Sequence, residues 1–302
     1  MLSVPALRLL HVLRLRGTLT AAAGQLHLSR SAASHQLATM QRALGIPLTE
    51  KVGRGLRLTE AGQRLADHAG RVLSELEETA AAVERLRGEP AGIIRLGAVQ
   101  TIAVNLLPPM LVRLRDSRPA LRVESRSITT EDAVTAVTSG ELDLAVVPSY
   151  DPAPLAIDSG LTELRLFRDP VRLAVPNGHR LSQGGPVPVA RLAGELWIAG
   201  EPDSYFGRLA PALCRQAGFE PEVMHRSDDY AVVASLVAAG LGIAFIPASA
   251  DLGAWPRVTV TEVDAADAGR DIVVLLRTGS RARPAVQAVI RRLRSLTGGH
   301  SV

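Results

Sequence analysis

The chain has 302 residues, 47% of them apolar and 21% charged. That length exceeds one ordinary core, and that balance excludes a chain disordered throughout. A single cysteine, Cys214, excludes an intrachain disulfide and a thiolate metal cluster. Charge is unevenly placed: residues 1–58 carry eight basic side chains against one acid, Glu50, a net of +7, and the remainder is net −3. A basic head on a slightly acidic body fits a polyanion contact at one end.

The opening residues Met1-Leu2-Ser3-Val4-Pro5 lack the basic start and apolar run of a secretory leader, and no stretch reaches about 18 uninterrupted apolar residues. A cytoplasmic protein is expected. Leu7, Leu10, Val12 and Leu13 form an apolar stripe on a first helix that Gly17 ends. Thr18 is placed to cap a short second helix, Leu19 to Leu26, and Ser29 a third that runs to about Leu44. On the third, Ala32, Ala33, Leu37, Met40 and Leu44 are expected to face inward, and Gly45-Ile46-Pro47 stops it. Two short apolar pieces around a glycine turn, Lys51 to Leu58, predict a β-hairpin. Three helices and a hairpin make a winged helix-turn-helix.

Thr59 caps a long predicted helix, Glu60 to Arg87. Leu65, Ala69, Val72, Leu76, Thr79, Val83 and Leu86 recur at intervals of four and three, a heptad seam that needs either a partner helix or the chain's own body. Gly88 to Gly92 is a linker candidate. Beyond it strands and helices alternate. Strands are predicted at Ile93–Ala98, Leu121–Ser127, Leu144–Val147, Val171–Val175, Leu196–Ile198, Ile243–Ile246 and Ile272–Leu276. Helices are predicted at Asn105–Asp116, Thr130–Ser139, Tyr205–Gln216, Ala231–Ala239 and Ala282–Leu296. This is an α/β body. Cys214 sits in an apolar helical pattern and reads as a core residue or, alternatively, a sensing thiol.

Several ordered stretches carry a family likeness: Thr20-Ala21-Ala22-Ala23, Leu26 to Leu37, Leu44 to Leu48, Arg57 to Gly62, Leu107-Pro108, Gly140 to Ala145 and Val237 to Ile243. Together they span nearly the whole chain, which resembles the LysR-type transcriptional regulators. Three positions depart from the family pattern: Thr49 stands where an aromatic is usual before the wing, Ser31 where proline is common, and His35 where arginine is frequent. The resemblance implies a DNA-binding domain at 1–58, a linker and dimerisation helix at 59–88, and an effector-binding domain at 89–302 built like a periplasmic binding protein. Its subdomains would be 93–163 with 268–302, and 164–267, with the ligand in the cleft between them. It implies dimers that pair into tetramers on an interrupted inverted repeat of double-stranded DNA, with RNA polymerase as a further partner.

A recognition helix presents its first turns to base edges. Here those residues are Ser29, Arg30, Ser31, Ser34 and His35, with Thr18 beside them. Lys51, Arg54 and Arg57 on the wing are expected to hold backbone or minor groove. Strand ends that open onto helix starts suit a small anion. Gln100, Thr101, Ser127, Thr129 and Ser149 are the expected effector contacts of subdomain one, with Gly200, Glu201 and Asp228 facing them from subdomain two. Few aromatic residues favour a small polar effector. Ser227, His225 and Asp228 are close in sequence, but no Gly-x-Ser-x-Gly turn accompanies them, and no enzyme activity is expected. The histidines lack ligand spacing, so neither a metal nor another cofactor is expected.

Overall fold

The structure, a computed structural model, describes residues 2–53, 55–86, 88–149, 160–182, 185–250, 255–265 and 268–297. It begins with three helices, α1 (Val4–Arg16), α2 (Leu19–Gln25) and α3 (Arg30–Leu44). Each has a side-chain N-cap. Ser3, Thr18 and Ser29 accept from the backbone N–H three residues on, satisfying one of the donors a helix start leaves unpaired. Gly17 and Gly45 close α1 and α3 in the left-handed region. The sharp corner between α2 and α3 is a Schellman closure: Leu28 N–H reaches Ala23 O, His27 N–H reaches Gly24 O, and His27 takes φ 54°. Leu10, Leu13, Ala22, Ala23, Leu37, Met40 and Leu48 fill the core between these helices. Ala32, expected inside, is exposed instead, because burial on α3 follows Ala33, Leu37 and Met40 and its neighbour points a third of a turn away.

Strands β1 (Thr49–Val52) and β2 (Gly55–Leu58) pair antiparallel as the wing. The long helix α4 (Glu60–Leu86) follows, and Thr59 Oγ1 caps it by accepting from Gly62 N–H. Its beginning is buried through Gly62, Ala66 and Ala69.

Two compact units follow from the contacts. One holds Met1–Pro148, Leu155–Leu166 and Val273–Val302, the other Ser149–Pro154 and Phe167–Ile272. In chain order the elements after α4 are β3 (Gly92–Ala98), α5 (Gln100–Asn105), α6 (Leu107–Ser117), β4 (Leu121–Ser127), α7 (Thr130–Thr138), β5 (Leu144–Ser149) and β6 (Leu161–Pro176). Next come β7 (Val187–Pro188), β8 (Leu196–Ala199), α8 (Tyr205–Gln216), β9 (Glu222–Arg226), α9 (Tyr230–Ala238), β10 (Ala244–Pro247), β11 (Val258–Asp264), β12 (Gly269–Arg277) and α10 (Pro284–Thr297).

In the first unit the strand order is β4-β3-β5-β12. β3 pairs parallel with both neighbours, in the register Leu96 with Ser125 and with Leu144. Every residue of β5 is buried, which explains its unbroken apolar reading. In the second unit β10 and β11 pair antiparallel with the later part of β6, and β8 and β9 pair parallel. Trp197, Phe245, Leu173 and Leu192 lie in its core.

The expected helix at Asn105–Asp116 stands as α6, and a further short helix, α5, precedes it with a break at Leu106. Pro108 and Pro109 explain the break, since proline suits a first helical turn and cannot serve an interior one. Strands β7, β9 and β11 are additions to the expected set. β9 alternates half-buried and exposed residues, a pattern too short and polar to stand out from loop sequence.

Candidate nucleic-acid interface

On α3 the exposed side chains Arg30, Ser31, Ser34 and His35 lie on the faces away from Ala33, Leu37 and Met40, which are buried. One helix thus separates a core face from a polar face at its N-terminal end. Ser29 Oγ accepts from Ala32 N–H at 3.1 Å and lies 2.9 Å from Ser31 Oγ, so the cap and the first turn form one polar cluster. Thr18, also exposed, is occupied as the cap of α2. Among the described residues Arg30 and Lys51 form no ion pair, which leaves their charge available to a polyanion.

The wing is held to α3 by Gln41. Its Oε1 accepts from Leu48 N–H at 2.8 Å, Thr49 N–H at 3.0 Å and the Thr49 hydroxyl at 3.1 Å. A hydrogen-bonded threonine therefore replaces the ring usual at position 49. Sequence reasoning missed Gln41, whose role needs a loop seven and eight residues away to return to it. Arg57 is exposed but tied to Glu50, Nη2 to Oε1 at 2.7 Å. Arg54 lies outside the described residues. Two further head arginines are also engaged, Arg14 with Asp67 and Arg16 with Glu141, each at 3.0 Å. The free charge of the head is smaller than its composition implies.

The expected effector residues fall in two groups. In the first unit the parallel register Ala98 with Ser127 brings the ends of β3 and β4 side by side, and with them Gln100, Thr101, Ser127 and Thr129. Thr101 is buried, Gln100 and Ser127 are exposed, and Thr129 caps α7, accepting from Asp132 N–H. Ser149, the buried last residue of β5, is where the chain passes into the second unit.

In the second unit Gly200, Ser204 and Asp228 crowd together. A Cβ on Gly200 would collide with the Asp228 carboxylate and the Ser204 hydroxyl. Arg226 Nη1 donates to Gly200 O at 3.0 Å, and Glu201 is exposed. The same region holds groups the sequence reading omits. Arg270 and Asp169 form a buried pair, Nε to Oδ2 at 2.9 Å, and Ser249 donates to that carboxylate through both N–H and hydroxyl. The Arg270 guanidinium stands 5.4 Å over the Phe206 ring, which meets Tyr230 edge-on at 5.8 Å. Asp169 and Arg270 are 101 residues apart, so no local pattern announces them. Ser227 Oγ accepts from Asp229 N–H in a local turn, the ordinary use of a serine at that place. Among the described residues no cluster of His, Cys, Asp or Glu can hold a metal, and no helix is long and apolar enough to cross a membrane.

A polar-faced, capped helix beside a wing, joined by a long helix to an α/β body, defines a winged-helix DNA-binding regulator. Two family models match the chain, one at each end of the long helix. The bacterial regulatory helix-turn-helix of the lysR family matches residues 5–63, and the LysR substrate binding domain matches residues 87–297. The chain belongs to the LysR family, and it is a DNA-binding transcriptional regulator with an effector-binding domain. It is 27% identical over 281 residues to the DNA-binding transcriptional dual regulator OxyR of Escherichia coli K12, covering 92% of this chain and 90% of OxyR. In other Escherichia coli strains that relative is called a hydrogen peroxide-inducible genes activator. Among solved structures, a full-length OxyR variant from Pseudomonas aeruginosa matches with a TM-score of 0.73 at 19% identity, covering 97% and 95% of the two chains. Full-length CbnR in complex with its target DNA matches with a TM-score of 0.57 at 22% identity, covering 97% and 99%.

Proposed function

We propose that Arg30, Ser31, Ser34 and His35 read base edges in the major groove, with Ser29 and Thr18 at flanking phosphates and Lys51, Arg54 and Arg57 on the wing supplying backbone contacts. The exposed polar face of α3 opposite its buried face carries this reading. Arg30 has the geometry for a bidentate contact to guanine, worth about 1–3 kcal/mol of discrimination. Residues 1–58 then act as the reading head, 59–88 as the linker and 89–302 as the sensor.

A second copy of the chain covers the α4 seam. Its first members are covered within the chain, Leu65 packed on the head's core and Ala69 buried, but Val72, Leu76, Val83 and Leu86 are 45%, 44%, 52% and 88% exposed. Paired helices place two heads on an interrupted inverted repeat, where the second contact is intramolecular. The assembly is a homodimer that pairs to a tetramer, works in the cytoplasm with RNA polymerase as a further partner, and has no enzymatic activity or cofactor.

The effector is a small polar molecule, with Gln100, Thr101, Ser127, Thr129, Ser149, Gly200, Glu201 and Asp228 as its candidate contacts. Phe206 and Arg270 add a ring face and a guanidinium to the last three. The reading of Cys214 as a sensing thiol is not part of this proposal. Cys214 is the chain's one cysteine, it is buried in α8, and burial followed by the charge of Glu220 pushes its thiol up to about 12. A neutral, enclosed thiol is a poor nucleophile.

The test is selection from random duplexes at two salt concentrations, with wild type and Arg30→Ala. Enrichment of an interrupted repeat that relaxes at one symmetric position in Arg30→Ala supports the reading. Equal enrichment by both proteins removes Arg30 from base recognition, and sequence-independent binding by wild type removes the whole assignment.

A further inference from the structure

Between α7 and β5 the turn Gly140–Asp143 carries two carboxylates that reach in different directions. Gly140 takes φ 80°, the left-handed close that ends α7 and lets the chain turn so sharply. Glu141 then spans two arginines. Its Oε2 lies 3.0 Å from Arg16 Nη2 at the end of α1, and its Oε1 lies 2.6 Å from Arg126 Nη2 at the end of β4. Arg16 is thereby taken out of the head's free charge and fixed to the sensor.

Asp143 reaches the linker helix. One carboxylate oxygen accepts from Arg95 N–H at 2.9 Å, which locks the residue to β3. The other faces Arg277 Nη2 at 3.6 Å and Arg283 Nη1 at 3.1 Å. Those two arginines in turn hold α4: Arg277 Nε donates to Glu77 at 2.6 Å and Arg283 Nε to Glu84 at 3.2 Å. Arg277 Nη1 also donates to the carbonyls of Val137 and Leu142, 2.7 Å each, so its planar fork is almost fully used. For Arg283, burial lowers the pKa, but the hydrogen bond and charge of Glu84 and the charge of Asp143 outweigh it, and the value is raised. The chain after β12 is seated on α4 as well, since a Cβ on Gly279 would collide with the Ser74 carbonyl.

Two strands connect with this turn, β5 through the chain and β12 through the Arg277 side chain. β5 starts from it and is buried along its whole length to Ser149. β12 is the neighbour of β5, comes out of the second unit between Ile272 and Val273, and ends at Arg277 itself. A buried strand is stiff along its axis, so a shift of either strand is delivered to the turn with little loss. Taking the head as the DNA-binding part, we infer that the turn Gly140–Asp143 is the joint through which the sensor positions it. Glu141 holds the head by Arg16, and Asp143 holds the linker helix through Arg277 and Arg283.

The test compares wild type with Glu141→Gln, Arg126→Gln and the exchange Arg16→Glu with Glu141→Arg, all in the full chain. Hydrogen exchange without DNA reads the joint directly. Glu141→Gln speeds exchange in the last turn of α1, the paired exchange made together with Arg126→Gln, so that no arginine faces the new one at position 141, restores protection, and Arg126→Gln alone, which breaks a pair inside the sensor only, leaves α1 as in wild type. Binding to the duplex that wild type enriches from a random library reads the consequence. A loosely held head gives up part of its effective concentration. Glu141→Gln therefore loses about two- to five-fold in affinity for the paired half-sites, the worth of one part-exposed ion pair, and nothing for an isolated half-site. Unchanged α1 exchange, or an unchanged ratio of paired to single half-site affinity, overturns the inference. If wild type selects no duplex, the assignment of the head fails separately, and hydrogen exchange alone decides whether the joint exists.

Discussion

Glu50 and Arg57 stand opposite each other across the wing, in register on the two strands, and their side chains close at 2.7 Å. Both are substantially exposed, so the pair adds at most about 1 kcal/mol to stability. Its larger effect is to cancel one positive charge on a surface assigned to phosphate. Glu50→Gln therefore raises affinity for specific and random duplexes by a similar factor. It also steepens the slope of log affinity against log salt by about one, the mark of one further phosphate contact. Fluorescence anisotropy at several salt concentrations reads both, and an unchanged slope means that Arg57 does not touch DNA.

The exposed part of the α4 seam predicts a change of assembly without loss of fold. Leu76→Glu and Val83→Glu fall at side chains 44% and 52% exposed within the chain, so each is expected to cost the single chain no more than about 1 kcal/mol. Paired on a second helix, the same glutamates would put charge into a dry seam. Sedimentation is expected to show monomers for both variants and a dimer or larger species for wild type. Identical sedimentation of all three would leave the stripe without a partner helix.

Gly62 is a point where an ordinary helix rule reverses. Alanine in place of glycine stabilises an open helix by about 1 kcal/mol. At position 62 the added methyl would collide with the Leu48 carbonyl and press on the Leu58 side chain, both at the base of the wing. Gly62→Ala is expected to destabilise by about 3 kcal/mol through this overpacking. Thermal denaturation checks the sign, and a rise in midpoint would refute the close approach.

Cys214 supplies a pH prediction. A thiol held at about 12 in the folded chain, against about 8.5 when unfolded, keeps its proton in the native state while the unfolded state loses it. Its contribution to stability is complete below the unfolded value and declines as pH rises from there toward 12. The slope of stability against pH above 9 should flatten in Cys214→Ser. In native protein at neutral pH, thiol reagents and hydrogen peroxide leave Cys214 unmodified, as mass spectrometry would show. Rapid modification of the folded protein would return the thiol to the list of sensors.

The reading head was legible along the chain because its signals are local. A serine or threonine caps the helix that begins at the next residue, glycines end α1 and α3, and burial on α3 repeats at the helical period, with Ala32 the one misplaced residue. The heptad of α4 was equally visible, but only packing divided it into Leu65 and Ala69, covered within the chain, and an exposed remainder.

Sequence by itself determined the helices and hairpin of the head, most strands and helices of the α/β body, the capped and polar-faced α3 and the family, because capping, periodicity and turn chemistry act within a few residues. The short α5, β7, β9 and β11 carried too little local pattern to be read. Tertiary structure alone decided which charges are spent. Arg16 meets Glu141 across 125 residues, Asp169 meets Arg270 across 101, and Glu77 meets Arg277 across 200. An ion pair depends on where two side chains arrive in space, and a charge in the sequence does not name its partner until the chain between them has folded.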